Sequence, residues 1–276
     1  AYLQQKLSPA GAAVAARKEA IRIGGLLFDN HWSHTGNTPP TDSGGVEIDN
    51  PVWARRDPEA TSEAVGAATW RCKTCHGWDY KGVNGRYGPG STNFTGFPDL
   101  LARQESLSAR GAATVFNYLK FGVAGEHAFG DGSPAKLNDE QIGALVEFLL
   151  LPSAELPVEA QSLVGMRDTV EFIFEEQFLG RAKGDSAAGA TLYAEGAAGI
   201  GRPSCADAAC HKETGAGIVA VNLQALATEN PWEVLHKSRF GQPGVPEMTS
   251  VWEWGIDGNA VDILTYIQSL PAIAVQ

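Results

Sequence analysis

The chain has 276 residues and a formal net charge of −11, and a field of that sign repels phosphate backbones, which excludes sequence-independent nucleic-acid binding. Its densest apolar stretch, Ile142 to Pro152, carries Glu147 and is far short of the roughly 20 apolar residues that a membrane span needs. The length suits two domains, and 32 glycines with 15 prolines imply short helices joined by long ordered loops.

In chain order, residues 1–19 read as an N-terminal helical extension, and apolar spacing predicts a helix from Ala12 to Asn30. A polar insertion follows over residues 31–69, marked by Thr38-Pro39-Pro40 and Ser43-Gly44-Gly45. The Gly-rich run 82–90 lacks the Gly-Lys-Ser/Thr ending of a phosphate loop. An amphipathic helix from Asn138 to Leu151 stops at Pro152. Residues 153–183 read as a linker whose apolar stretch, Val170 to Phe178, is expected to form a helix. Helices from Ser186 to Ala194 and from Gly258 to Leu270 then bracket the last third of the chain, and no strand pattern stands out.

Four cysteines decide the chemistry. Cys72-Lys73-Thr74-Cys75-His76 is C-x-x-C-H, the attachment signature of c-type haem, in which two thiols add to the haem vinyl groups and the next histidine faces the iron. Cys205-Ala206-Asp207-Ala208-Ala209-Cys210-His211 keeps the Cys-His pair and widens the gap between the thiols by two residues. Three other readings compete. A zinc site would hold its cysteine pairs much closer than Cys75 and Cys205 lie, two disulfides would leave both histidines unexplained, and a redox C-x-x-C lacks its βαβ context. Two covalent haems account for all four cysteines and leave none as an iron ligand.

The signals around the motifs repeat. Gly24-Gly25-Leu26-Leu27-Phe28 answers Gly189-Ala190-Thr191-Leu192-Tyr193, and Lys120-Phe121-Gly122 answers Arg239-Phe240-Gly241. Together with Trp70 to Gly82 and Asn230-Pro231-Trp232, these strings resemble a family of exported two-domain dihaem cytochromes c. The resemblance covers most of residues 20–271. It implies an all-α fold of two tandem cytochrome c-type domains with long ordered loops. Their expected bounds are 20–152, carrying the 31–69 insertion, and 184–276. It also implies export to the periplasm or cell exterior, with a signal peptide removed before Ala1.

Each haem needs a ligand opposite His76 or His211. Met248 follows the second Phe-Gly-x-x-Gly string and is the candidate there, with His236 as competitor. Aligning the two strings sets Glu126-His127 against Glu247-Met248, which makes His127 the candidate in the first module, with Met166 as alternative. His31 and His34 are expected in solvent. Arg71, Trp78, Tyr80, Arg86 and Tyr87 in the first module, and Trp232, Arg239 and Trp254 in the second, are candidates to cover haem propionates, which are unfavourable to bury unpaired.

Two six-coordinate haems point to transfer of single electrons between redox donors and acceptors, whose docking surfaces are expected to be basic. The other readings are a dihaem enzyme similar to thiosulfate dehydrogenases or dihaem peroxidases, and a haem subunit of a larger assembly or filament. Thiosulfate dehydrogenases use a cysteine ligand that this chain lacks, and a peroxidase needs a distal ligand able to leave.

Overall fold

A computed structural model describes residues 9–122, 127–130, 133–166, 172–176, 179–195, 205–206, 211, 222–246, 248 and 257–271. The chain divides into two compact units, residues 1–168 and 169–276. Among the described residues both are built from helices and long loops, with one two-stranded hairpin in the second, so the all-α expectation holds. Among the described residues no helix is long and apolar enough to cross a membrane.

The first unit rests on two crossing helices, α1 (Pro9–Thr35) and α5 (Asp139–Leu149). Helix α5 starts where Asn138 and Gln141 exchange side-chain to backbone hydrogen bonds, which satisfies two otherwise unpaired N–H groups. It buries Ile142, Leu145 and Phe148, while α1 buries Ile21, Leu27 and Phe28. The two approach at Gly24, where a Cβ would lie 2.3 Å from the Ala144 carbonyl oxygen and 2.5 Å from the Phe148 Cβ. One turn on, the Phe28 and Phe148 rings meet at 5.4 Å. Between these helices run α2 (Cys72–His76), α3 (Leu100–Ala109) and α4 (Ala112–Phe121). The short α6 (Val158–Gln161) follows α5.

Helix α1 continues from Pro9 through residue 19 into the helix crossing, and Arg17 pairs with Glu147 of α5. The 31–69 insertion is likewise structured. It buries Val52 and Trp53 against Phe97, and the Thr69 hydroxyl accepts the Asn50 N–H at 2.8 Å.

The second unit repeats the crossing with α7 (Ser186–Glu195) and α10 (Asp257–Ser269). A Cβ on Gly189 would lie 2.0 Å from the Asp262 carbonyl oxygen and 2.9 Å from the Tyr266 Cβ. Four residues on, the Tyr193 and Tyr266 rings meet at 5.3 Å. Between them lie α8 (Leu223–Glu229) and α9 (Pro231–Phe240). Helices α4 and α9 both end at a glycine with positive φ, Gly122 (+70°) and Gly241 (+93°), a conformation that favours glycine.

The 153–183 segment departs from expectation. Residues 153–166 belong to the first unit: Met166 is fully buried and its N–H bonds the Phe148 carbonyl at 3.2 Å, while Arg17 reaches the Leu163 carbonyl. The helix expected over Val170 to Phe178 is instead a strand, β1 (Phe172–Glu176), antiparallel to β2 (Leu179–Ala182). Aromatic and β-branched residues such as Phe172-Ile173-Phe174 favour strands. Gln268 of α10 holds β2 by bonding the Gly180 carbonyl and the Ala182 N–H, both at 2.8 Å.

The glycine contacts set a stability test. Gly24→Val and Gly189→Val should each destabilise their own unit by about 3 kcal/mol or more in denaturant unfolding, because the new atoms meet backbone. Gly143→Ala, where an added Cβ meets nothing within 4 Å, should be neutral or stabilising by up to about 1 kcal/mol.

Candidate functional site

Helix α2 is a single turn holding the whole first motif, so Cys72, Cys75 and His76 share one face at spacings of three and four residues. Arg71, just before it, ties the motif to α1: its Nε donates to the Asp29 carbonyl at 2.7 Å and its Nη2 pairs with Asp29 Oδ1 at 2.5 Å. Neither Cys72 nor Cys75 is in a disulfide. Burial pushes the Cys72 thiol up to about 12 and raises Cys75 as well, so both stay protonated. Among the described residues no three His, Cys, Asp or Glu side chains gather to hold a metal ion.

His76 is buried, which lowers its pKa to about 4 and keeps the ring neutral. Its Nδ1 lies 3.0 Å from the Pro98 carbonyl oxygen. A carbonyl only accepts, so the proton sits on Nδ1 and the Nε2 lone pair is left for a metal. The Pro98 carbonyl is itself held in place. Val83 N–H bonds the Phe97 carbonyl at 2.8 Å and Leu100 N–H bonds the Tyr80 carbonyl at 2.8 Å. Gly82, at φ +46°, is so close that a Cβ would lie 2.6 Å from the Pro98 oxygen.

His127 stands opposite. Its ring centre is 6.3 Å from that of His76 and the planes differ by 24°. Two imidazoles bound to one iron through nitrogens at about 2 Å, with each ring centre about 1.1 Å behind its nitrogen, lie about 6.3 Å apart. The residues therefore fit a haem iron between them. His127 is held at φ +52°, uncommon for a residue with a side chain, and its pKa is lowered by burial. A cavity of about 480 Å³ adjoins it, lined by Asn50, Trp70, Lys120 and Ser133 among others.

In the second unit, Cys205 and His211 are described, while Cys210, Glu247 and Trp254 lie outside the described residues, as does Glu126 of the first unit. His211 N–H bonds the Cys205 carbonyl at 3.1 Å, six residues back, so the two ends of the motif stay together across the longer gap. Tyr193 of α7 fastens the motif, accepting the Ala206 N–H at its carbonyl (3.0 Å) and donating its hydroxyl to the His211 carbonyl (3.5 Å). Met248 is half-buried, its N–H on the Val245 carbonyl at 3.1 Å. His236 is buried on α9 with its ring 4.9 Å from Phe240.

The propionate candidates sit as follows. Arg71 is bound to Asp29 as above. Trp78 is buried with the Lys73 ammonium over its ring at 5.1 Å, and the Arg86 N–H bonds Asp79 Oδ2 at 2.5 Å. Buried Tyr80 packs on Phe28 and Phe148, and Tyr87 is also buried. Trp232 is half-buried, and buried Arg239 lies over the Phe240 ring at 4.7 Å.

His31 is not in solvent as expected: it is 1% exposed, packed on Trp32 and near Phe129. The backbone break at Asn30 (φ −155°, ψ 89°) changes the helical phase just before it. His34 is half-buried. Sequence reasoning also missed Pro98 and Gly82. Pro98 acts through a backbone carbonyl, which has no side-chain signature, although the glycines of the 82–90 run were visible.

Gly82→Ala should displace the Pro98 carbonyl and destabilise the first unit by about 1–3 kcal/mol in denaturant unfolding. A variant as stable as the parent would show that the close approach carries no constraint.

Comparisons with curated proteins and with solved structures return no match for the chain. The family model for cytochrome c matches residues 64–151, a span that contains α2, the Pro98 carbonyl, His127 and the closing helix α5. Residues 64–151 are thus similar to cytochrome c domains, a family in which haem c is covalently bound and carries electrons.

Proposed function

We propose that the chain is a dihaem c-type cytochrome that passes single electrons between redox partners outside the cytoplasm. The observation that carries the reading is the His76–His127 pair, two neutral imidazoles spaced for one iron. Cys72 and Cys75 would hold the first haem by thioether bonds, with His76 and His127 as axial ligands. Cys205, Cys210, His211 and Met248 would serve the second. The support for a second haem domain is the repeated helix crossing, with glycine against a backbone carbonyl and an aromatic pair four residues on. Bound haem supplies an iron that takes up and gives up one electron.

The chain's own residues set the conditions for that exchange. Pro98 draws charge from the His76 N–H and fixes the ring orientation. Burial keeps both imidazoles unprotonated and ready to bind. The −11 net charge favours partners with basic docking surfaces, with rates that fall as salt rises. Attachment of c-type haem takes place outside the cytoplasm in most such proteins, which supports a periplasmic or extracellular location.

Attachment is tested by acid-acetone extraction, which removes non-covalent haem. Two haems per chain should stay with the protein, and Cys205→Ala should compromise the second alone. Release of either haem from the parent protein would refute its attachment.

Ligation also sets potential. A thioether favours ferrous iron and a second imidazole favours ferric iron, so the His127 haem should titrate below the Met248 haem. Electrons would then arrive through residues 20–152 and leave through residues 184–271. The near-infrared-edge band of methionine–iron bonding should come from one haem and vanish in Met248→Ala but not in Met166→Ala. In a redox titration followed at that band, a Met248 haem with the lower potential would reverse the proposed direction.

A further inference from the structure

We propose that His127 is a detachable ligand, and that the side of the first haem opposite His76 binds a small diatomic molecule such as carbon monoxide or nitric oxide. The inference rests on the reading that His76 and His127 face one iron. Its basis is an asymmetry between the two histidines. His76 Nδ1 donates to the Pro98 carbonyl, whereas His127 Nδ1 is buried with no hydrogen-bond partner among the described residues. Outer partners of this kind orient a metal-bound imidazole and raise its basicity, and losing one typically weakens metal binding by about 10- to 100-fold.

Backbone and surroundings point the same way. His127 lies outside any helix, between α4 and α5, at a φ of +52°, a left-handed conformation uncommon for a residue with a side chain. His76 sits within helix α2, with Gly77 N–H on the Lys73 carbonyl closing its turn. The cavity of about 480 Å³ that His127 borders gives room for the displaced ring or the incoming molecule. Ser133 lines the same cavity, and its Oγ is buried and without a partner among the described residues. Its hydroxyl could donate to a molecule that enters this cavity. In the exchange, His127 leaves with its nitrogen lone pair and the incoming molecule donates a pair from its carbon or nitrogen. No proton moves and nothing is oxidised.

The test uses the reduced full-length holoprotein and carbon monoxide. One haem per chain should take up the gas. Its uptake rate should level off as gas concentration rises, because departure of His127 becomes limiting. In His127→Ala the rate should stay proportional to concentration and exceed the parent's by about 10-fold or more. Met248→Ala should raise the count of gas-binding haems from one to two, while His127→Ala leaves it at one. Ser133→Ala should raise the C–O stretching frequency by removing the donor; an unchanged frequency would overturn the part given to Ser133. No uptake by a low-spin parent protein would overturn the proposal, as would a rise to two haems in His127→Ala. A high-spin first haem in the oxidised parent would instead overturn the ligand assignment beneath it.

Discussion

The contact on which the site depends is the hydrogen bond from His76 Nδ1 to the Pro98 carbonyl. It fixes the tautomer, aims the ring and leaves one lone pair directed at the position between His76 and His127. Much of the first unit serves that contact. Helix α2 sets His76 on the cysteine face, Arg71 ties α2 to Asp29 of α1, and Gly82 allows the chain to pass close beneath the Pro98 carbonyl. Thr95 adds a bond from its hydroxyl to the Cys75 carbonyl at 2.9 Å. Protonation of His76 would remove the metal-binding lone pair, and burial opposes it by lowering the pKa to about 4.

Each unit solves the same packing problem in the same way. A first helix must lie close to the last one, and glycine at the crossing permits it, with the aromatic one turn later filling the widening gap. The motif is then fastened to that first helix, through Arg71 and Asp29 in one unit and through Tyr193 in the other. The fastenings differ in chemistry, a charged pair against a hydroxyl and a carbonyl, while their places along the helix correspond to within one residue.

The parts legible from sequence were those written in side chains at fixed spacing. The C-x-x-C-H motif, the crossing helices and the Asn138 start of α5 all have such signatures. His127 was reached by aligning the repeats, and the structure places it across from His76. The misses have physical causes. The run from Val170 to Phe178, expected as a helix, holds β1 instead, because short apolar runs do not discriminate period. His31 is expected in solvent because it opens the polar 31–69 insertion, and the backbone break at Asn30 that precedes it has no sequence mark. The tie between Arg71, a candidate for a haem propionate, and Asp29, 42 residues earlier, has no local sequence signature.

The central claim is that His76 and His127 bind one iron from opposite sides, and electron paramagnetic resonance of the oxidised protein tests it most directly. Near-parallel rings, 24° apart, predict a rhombic low-spin signal of two-imidazole type, lost in His127→Ala while the signal of the proposed second haem remains. A high-spin signal from the first haem of the parent protein, or a low-spin signal that survives His127→Ala unchanged, would contradict the account.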